Sequence, residues 1–290
     1  LLTNCKKKEP GSEPAATAAA SEFSFQVDQF ADLRILRYQV PGFEALTPRQ
    51  KELVYYLSQA AVCGRDIFFD QNYKHNLKIR RTLDAIVQGY AGDRADPRWA
   101  EFMTYVKRVW FSSGIHHHYS NDKFVPGFDA DYFAALVKGS PDASLPLDAG
   151  QTPDDLSAFL QPILFDPAVA PKRMSLDSSS DLIANSASNF YEGVTQAEVE
   201  AYYKRIVDRT DETPVSYGLN TRVVKKDGRV VEETASIGGL YGPAIAKIVF
   251  WLEKAAGVAE NEQQKTVIET LVAYYRTGDL AKFDEYAILW

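Results

Sequence analysis

Three threonines constrain this chain most, because each marks where a helix has to begin. Thr47-Pro48-Arg49-Gln50 puts a hydroxyl at the N-cap and a proline in the first turn, where its missing N–H costs nothing. Gln50 sits three residues on and closes a capping box. The helix it starts runs through KELVYYLSQAAVC and stops at Gly64. Thr152-Pro153-Asp154-Asp155 repeats the Thr-Pro start, and Thr195-Gln196-Ala197-Glu198 is a capping box ahead of VEAYYKRIV. Between them, Leu77, Thr82-Leu83 and Ile86-Val87 are spaced for one face of a helix over about residues 74–90. A further helix starts near Pro97 and runs through WAEFMTYVKRVWF, and Asp129 opens another, DYFAALVKG. The last part of the chain predicts helices over about 240–256, 262–276 and 280–289.

One segment breaks this rhythm. VSYGLNTRVVKKDGRVVEETAS, residues 215–236, holds two β-rich runs around Lys226-Asp227-Gly228. Asp-Gly supplies the positive φ angles that a tight hairpin turn needs. No internal repeat is visible. The fold class is therefore α+β, mostly helical with a small sheet.

Composition matters for what it excludes. The 290 residues suffice for one large or two ordinary domains. A net charge of -7 argues against non-specific nucleic-acid binding, which needs a basic face. No run of about 18 apolar residues is present to span a bilayer. Two cysteines cannot build a disulfide framework. Cys63 lies in an apolar helical pattern and reads as a small core residue.

Cys5 has a different setting. LLTNC resembles the end of a bacterial lipoprotein signal peptide, whose cysteine is lipidated and begins the mature protein. The following CKKKEPGSEPAATAAASE has no apolar periodicity and reads as a disordered tether. Residues 1–22 are thus expected to be signal remnant and tether, and residues 23–290 to fold. Localisation at a bacterial cell envelope follows, with membrane contact through a lipid anchor on Cys5 only. The chain starts at Leu1 and ends on the apolar YAILW. The expectation is an N-terminal part of a longer protein.

GIHHHYSNDKFVP, residues 114–126, holds three of the four histidines. On a strand, His116 and His118 would share a face with His117 opposite. A metal would then need a third ligand from elsewhere in the chain. The other readings are a polar pocket wall, since loops on a rigid scaffold carry function, or a solvated loop. SIGGLYGP, residues 236–243, lies between a strand and a helix and loosely resembles a phosphate-cradling loop. Its spacing fits neither G-x-G-x-x-G nor a P-loop, so close packing at a tight helix start is the alternative. No H-E-x-x-H, C-x-x-C or G-x-S-x-G occurs, and the residues by themselves make no complete catalytic constellation.

The stretches FADLRILRYQVPGFEALTPRQKELVYYLSQAAVCGRDI, QNYKHNLKIRRTLDAI, FMTYVKRVWFSSGIHHHYSNDKFVP, SYGLNTRVVKKDG and SIGGLYGPAIAKIVFWLEKA resemble the N-terminal half of dipeptidyl peptidase III, in its Bacteroidetes form. The likeness runs over roughly residues 23–290. It implies one lobe of a two-lobed zinc exopeptidase that releases dipeptides from peptide N-termini. This lobe would carry a small β-barrel core wrapped by helices. The other lobe would carry the zinc, on an H-E-x-x-G-H helix and a downstream glutamate. None of those residues is in this sequence, so the resemblance assigns it no catalytic or metal-binding residue, and zinc would belong to the full-length enzyme. It does imply that Tyr119, Ser120 and Asn121 wall the pocket for a peptide's N-terminal residues. His116 and His118 are expected to hydrogen-bond the peptide. The partners implied are short peptides and the absent zinc lobe. The alternative is a non-catalytic peptide-binding lipoprotein.

Overall fold

A computed structural model describes residues 23–290, which form parts of two units, 1–41 and 42–290. Cys5 and the tether lie outside the described residues. The described part of the first unit is a hairpin. β1 (Gln26–Phe30) pairs antiparallel with β2 (Leu33–Leu36), and Ala31 turns the chain at φ 49°. The sequence reading does not foresee it. Its strands are short and lack a strict apolar alternation, the signal by which strands are read.

The second unit is built from helices whose starts are chemically marked. α1 (Pro48–Cys63), α6 (Pro153–Phe165) and α7 (Gln196–Ile206) begin at Thr47, Thr152 and Thr195. All three close full capping boxes, with Gln50, Asp155 and Glu198 reaching back to the cap. α4 (Pro97–Ser112) and α5 (Ala130–Lys138) use Asp96 and Asp129 as caps. α3 covers Asn76–Gly89, α8 Gly242–Gly257, α9 Glu262–Thr277 and α10 Leu280–Leu289. One helix is unforeseen. After Gly64 the chain restarts at once as α2 (Arg65–Asn72), because Gly64 keeps right-handed helical angles rather than the left-handed ones that end a helix.

The hairpin of residues 215–236 is present but shorter. β4 (Thr221–Lys226) pairs antiparallel with β5 (Arg229–Thr234), and Asp227 and Gly228 turn at φ 49° and 74°. A short β3 (Tyr191–Glu192) adds parallel to β4, giving the order β3-β4-β5. The expected small β-barrel is therefore corrected. Among the described residues the sheets have two and three strands, and three strands leave two open edges instead of closing on themselves.

Packing divides into three clusters. The largest joins α3, α4, α5 and α6 around Ile79, Leu83, Phe102, Phe133, Leu156 and Leu160, all fully buried. Each such side chain contributes roughly 1.5–3 kcal/mol by leaving water. A second cluster sets Leu53 and Ala60 of α1 against Ile245, Val249 and Leu252 of α8 and Ile268 of α9. A third, small one packs Val199 of α7 on Val223 of the sheet. Cys63 is a partly buried member of the second cluster.

Candidate functional site

The loop after α4 is built by close backbone contact. Ser113 ends the helix in the left-handed region, at φ 52°, and Asn72 donates a side-chain hydrogen bond to its carbonyl at 3.0 Å. Gly114 follows at φ 149°, and a Cβ there would lie 2.1 Å from Asn76 Nδ2. Asn76 is fully buried; its Nδ2 donates to the Phe69 carbonyl at 3.1 Å, and its Oδ1 accepts from the Ile115 amide at 3.2 Å. Only glycine allows that approach.

The histidines then part company. His116 is 1% exposed, and its Nε2 bonds the Ala170 carbonyl at 2.8 Å, so it holds the loop on the segment after α6. Burial pushes its imidazole down to about 4; the Ala170 bond opposes this, while the charges of Arg173 and Lys123 reinforce it. His117 turns its ring back on the chain. Its Nδ1 accepts the amides of Tyr119 and Ser120, both at 3.1 Å. His118 stacks between His117 and Tyr119, with ring centroids 4.5 and 4.3 Å away.

The outer turn is closed and pinned. The His117 amide donates to the Asp122 carbonyl at 2.7 Å, the Asn121 amide donates to the His117 carbonyl at 3.1 Å, and Asn121 sits at φ 62°. Arg173 clamps it from outside. Its Nε donates to Asn121 Oδ1 at 3.0 Å, one terminal nitrogen to the His118 carbonyl at 3.2 Å, and the other to Asn72 Oδ1 at 3.4 Å. Lys172 pairs with Asp122 beside it. Lys123 reaches inward, donating to the carbonyls of Ile163, Asp166 and Val169 at 2.8, 2.5 and 2.7 Å. Its cation thus sits at the negative end of α6, and desolvation lowers its pKa. On this frame Tyr119 stands 83% exposed, Ser120 is exposed, and Asn121 and His118 are half-buried.

The structure therefore brings His118, Tyr119, Ser120 and Asn121 together on one outward turn. It separates His116 from them, because the alternation that points His116 inward packs it against Tyr73, at 5.9 Å. None of these five residues lines the hollow of about 430 Å³ bounded by Tyr73, Ala170, Pro171, Asn189 and Tyr191. The run does not suit a metal: His116 Nε2 is spent on a carbonyl and His117 Nδ1 on two amides. Among the described residues no group of three or more His, Cys, Asp or Glu side chains is disposed to hold a metal ion.

SIGGLYGP does what close packing requires. A Cβ on Gly239 would lie 2.2 Å from the Thr234 carbonyl oxygen, and one on Gly242 2.5 Å from that of Ile237. The amides of Gly239, Leu240 and Gly242 all donate to nearby carbonyls, so none of the three is turned toward an anion. Asn72 of α2, Asn76 of α3, Lys123 and Arg173 are the residues holding the loop whose roles sequence reasoning misses. Arg173 lies 52 residues from Asn121, and no local spacing signals that pairing.

The model of peptidase family M49 matches residues 178–290. Mouse (Mus musculus) dipeptidyl peptidase 3 is 21% identical over 280 residues, covering 86% of this chain. The chain is thus similar to dipeptidyl peptidase III over most of its own length. Two solved structures share its fold. Dipeptidyl peptidase III from Caldithrix abyssi superposes with a TM-score of 0.51 at 20% identity, covering 86% of this chain. The enzyme from Corallococcus sp. strain EGB gives 0.51 at 17% identity, covering 87%. The chain spans only 38% of the mouse protein's length and 34% of each bacterial structure.

Proposed function

We propose that this chain is the N-terminal, cleft-forming lobe of a zinc-dependent exopeptidase that releases dipeptides from peptide N-termini. The observation that supports the reading is the likeness to dipeptidyl peptidase III joined to partial coverage: the chain aligns with about a third of proteins that are named dipeptidyl peptidases. Zinc has no fitting ligand set among the described residues, so the chain contributes binding and positioning, and the metal would be held elsewhere in a longer protein.

Within that enzyme the turn 117–122 presents Tyr119 and Ser120 to the peptide. A tyrosine suits the task, offering apolar area with a polar tip. Asn121 and His118 border it, and the buried His116 acts on the peptide only by holding the turn in place. Lipidation of Cys5 would tether the lobe to a bacterial envelope membrane.

The test is a family-length protein assayed on dipeptidyl substrates with and without a chelator. Zinc-dependent release of dipeptides is expected, and Tyr119→Ala should raise KM with zinc content unchanged. Peptide binding without zinc-dependent cleavage would replace the enzyme by a non-catalytic peptide-binding lipoprotein. Labelling with a palmitate analogue checks Cys5; an unlabelled cysteine removes the anchor.

A further inference from the structure

α1 is apolar on two faces, and among the described residues only one of them is covered. Leu53, Tyr56, Ala60 and Cys63 form the stripe that packs into the cluster with α8 and α9. Val54, Leu57, Ser58, Ala61 and Val62 form a second stripe at i, i+3, i+4, i+7 and i+8, and all five are exposed. Val54 is 43%, Leu57 39% and Val62 60% exposed. The Ser58 hydroxyl donates to the Val54 carbonyl at 2.7 Å, so its polar atom is turned into the helix. At the edge of this face the exposed Tyr55 meets Trp251 of α8 edge-on at 5.9 Å. No charged residue occurs from Leu53 through Cys63. A helix that is apolar all round belongs in an interior, and solvent-facing helices carry charges on their outer side.

We infer that the outer face of α1 seats the part of a family-length protein that this chain does not match, receiving an apolar stripe from it. The inference rests on the reading proposed above. Two observations favour this occupant. The relatives are between two and three times as long, since the chain covers 38% and 34% of them. The exposed stripe also lies on the same helix as the second core cluster, so material added there extends an existing core.

The test compares a family-length protein with the 290-residue chain, each carrying Val62→Cys in a Cys5→Ser, Cys63→Ser background. Maleimide is expected to label residue 62 at least about tenfold more slowly in the longer protein, as a covered site reacts only on local opening. Val62→Lys should lower the thermal midpoint of the longer protein and leave that of the 290-residue chain in place. Equal labelling rates, or equal thermal shifts, overturn the inference. Protection that appears in the 290-residue chain only as its concentration rises also overturns it, and assigns the face to a second copy. Dipeptide release is measured on the same samples. Zinc-dependent release with equal labelling sinks this inference and leaves the reading standing, whereas no release with or without zinc sinks the reading itself.

Discussion

His116 and Tyr119 stand three residues apart and span nearly the whole range of exposure, 1% against 83%. The difference teaches how one loop divides its labour. The inner part, with Gly114, His116 and Lys123, is spent on backbone groups of other segments and fixes where the loop lies. The outer part, 117–122, closes on itself through His117 and is pinned by Arg173, leaving one aromatic side chain free to meet another molecule. If that division is right, inner changes move stability and outer changes move binding.

The largest effect should come from Gly114→Ala. Its Cβ would strike the buried Asn76 amide, which holds Phe69 and Ile115. Strain and lost buried hydrogen bonds together should cost about 4 kcal/mol, read from denaturant midpoints. A loss under about 1 kcal/mol would show that the inner part is not the anchor.

Acid is the next probe. Folded His116 titrates near about 4 against 6.5 for a free imidazole, so between those values the unfolded chain binds the extra proton. Its contribution is fully present above about pH 6.5 and is lost as pH falls toward 4, on the order of 3 kcal/mol. Denaturation at pH 7 and pH 4.5 should therefore show a smaller acid loss for His116→Phe than for the unchanged protein. Equal losses would mean that His116 is not held neutral.

Lys123→Met keeps the aliphatic stem and removes the ammonium from three carbonyls. About 2 kcal/mol should be lost by the same measurement. Tyr119→Ala sharpens the contrast from the other side. Stability should change by less than about 0.5 kcal/mol, while KM for dipeptidyl substrates of the family-length protein rises. A large stability loss at Tyr119 would collapse the distinction between the two parts.

Much of the helical scaffold is legible in the sequence because its signals are local. A capping threonine and its partner lie three residues apart, and the turn at Asp227-Gly228 needs only its own backbone angles. α2 escapes that logic because Gly64 can either stop a helix or pass through it, and the packing of Phe69 decides between them. The hairpin β1–β2 escapes because short strands carry little pattern. In the loop, the sequence points to Tyr119, Ser120 and Asn121 through a family resemblance, and it groups His116 with them because consecutive letters look alike.

By itself, the sequence determined the three threonine-capped helix starts, the tight hairpin and the helical class with a small sheet. Only the tertiary structure decided which histidine is buried, that Lys123 is held at the end of α6, and that Arg173 closes the turn. It alone decided that, among the described residues, α1 has one covered and one open apolar face. The physical reason is range. Caps and turns are settled within four residues, whereas burial, and the partners of a buried or clamping group, are set by segments about 50 residues away that no local pattern names.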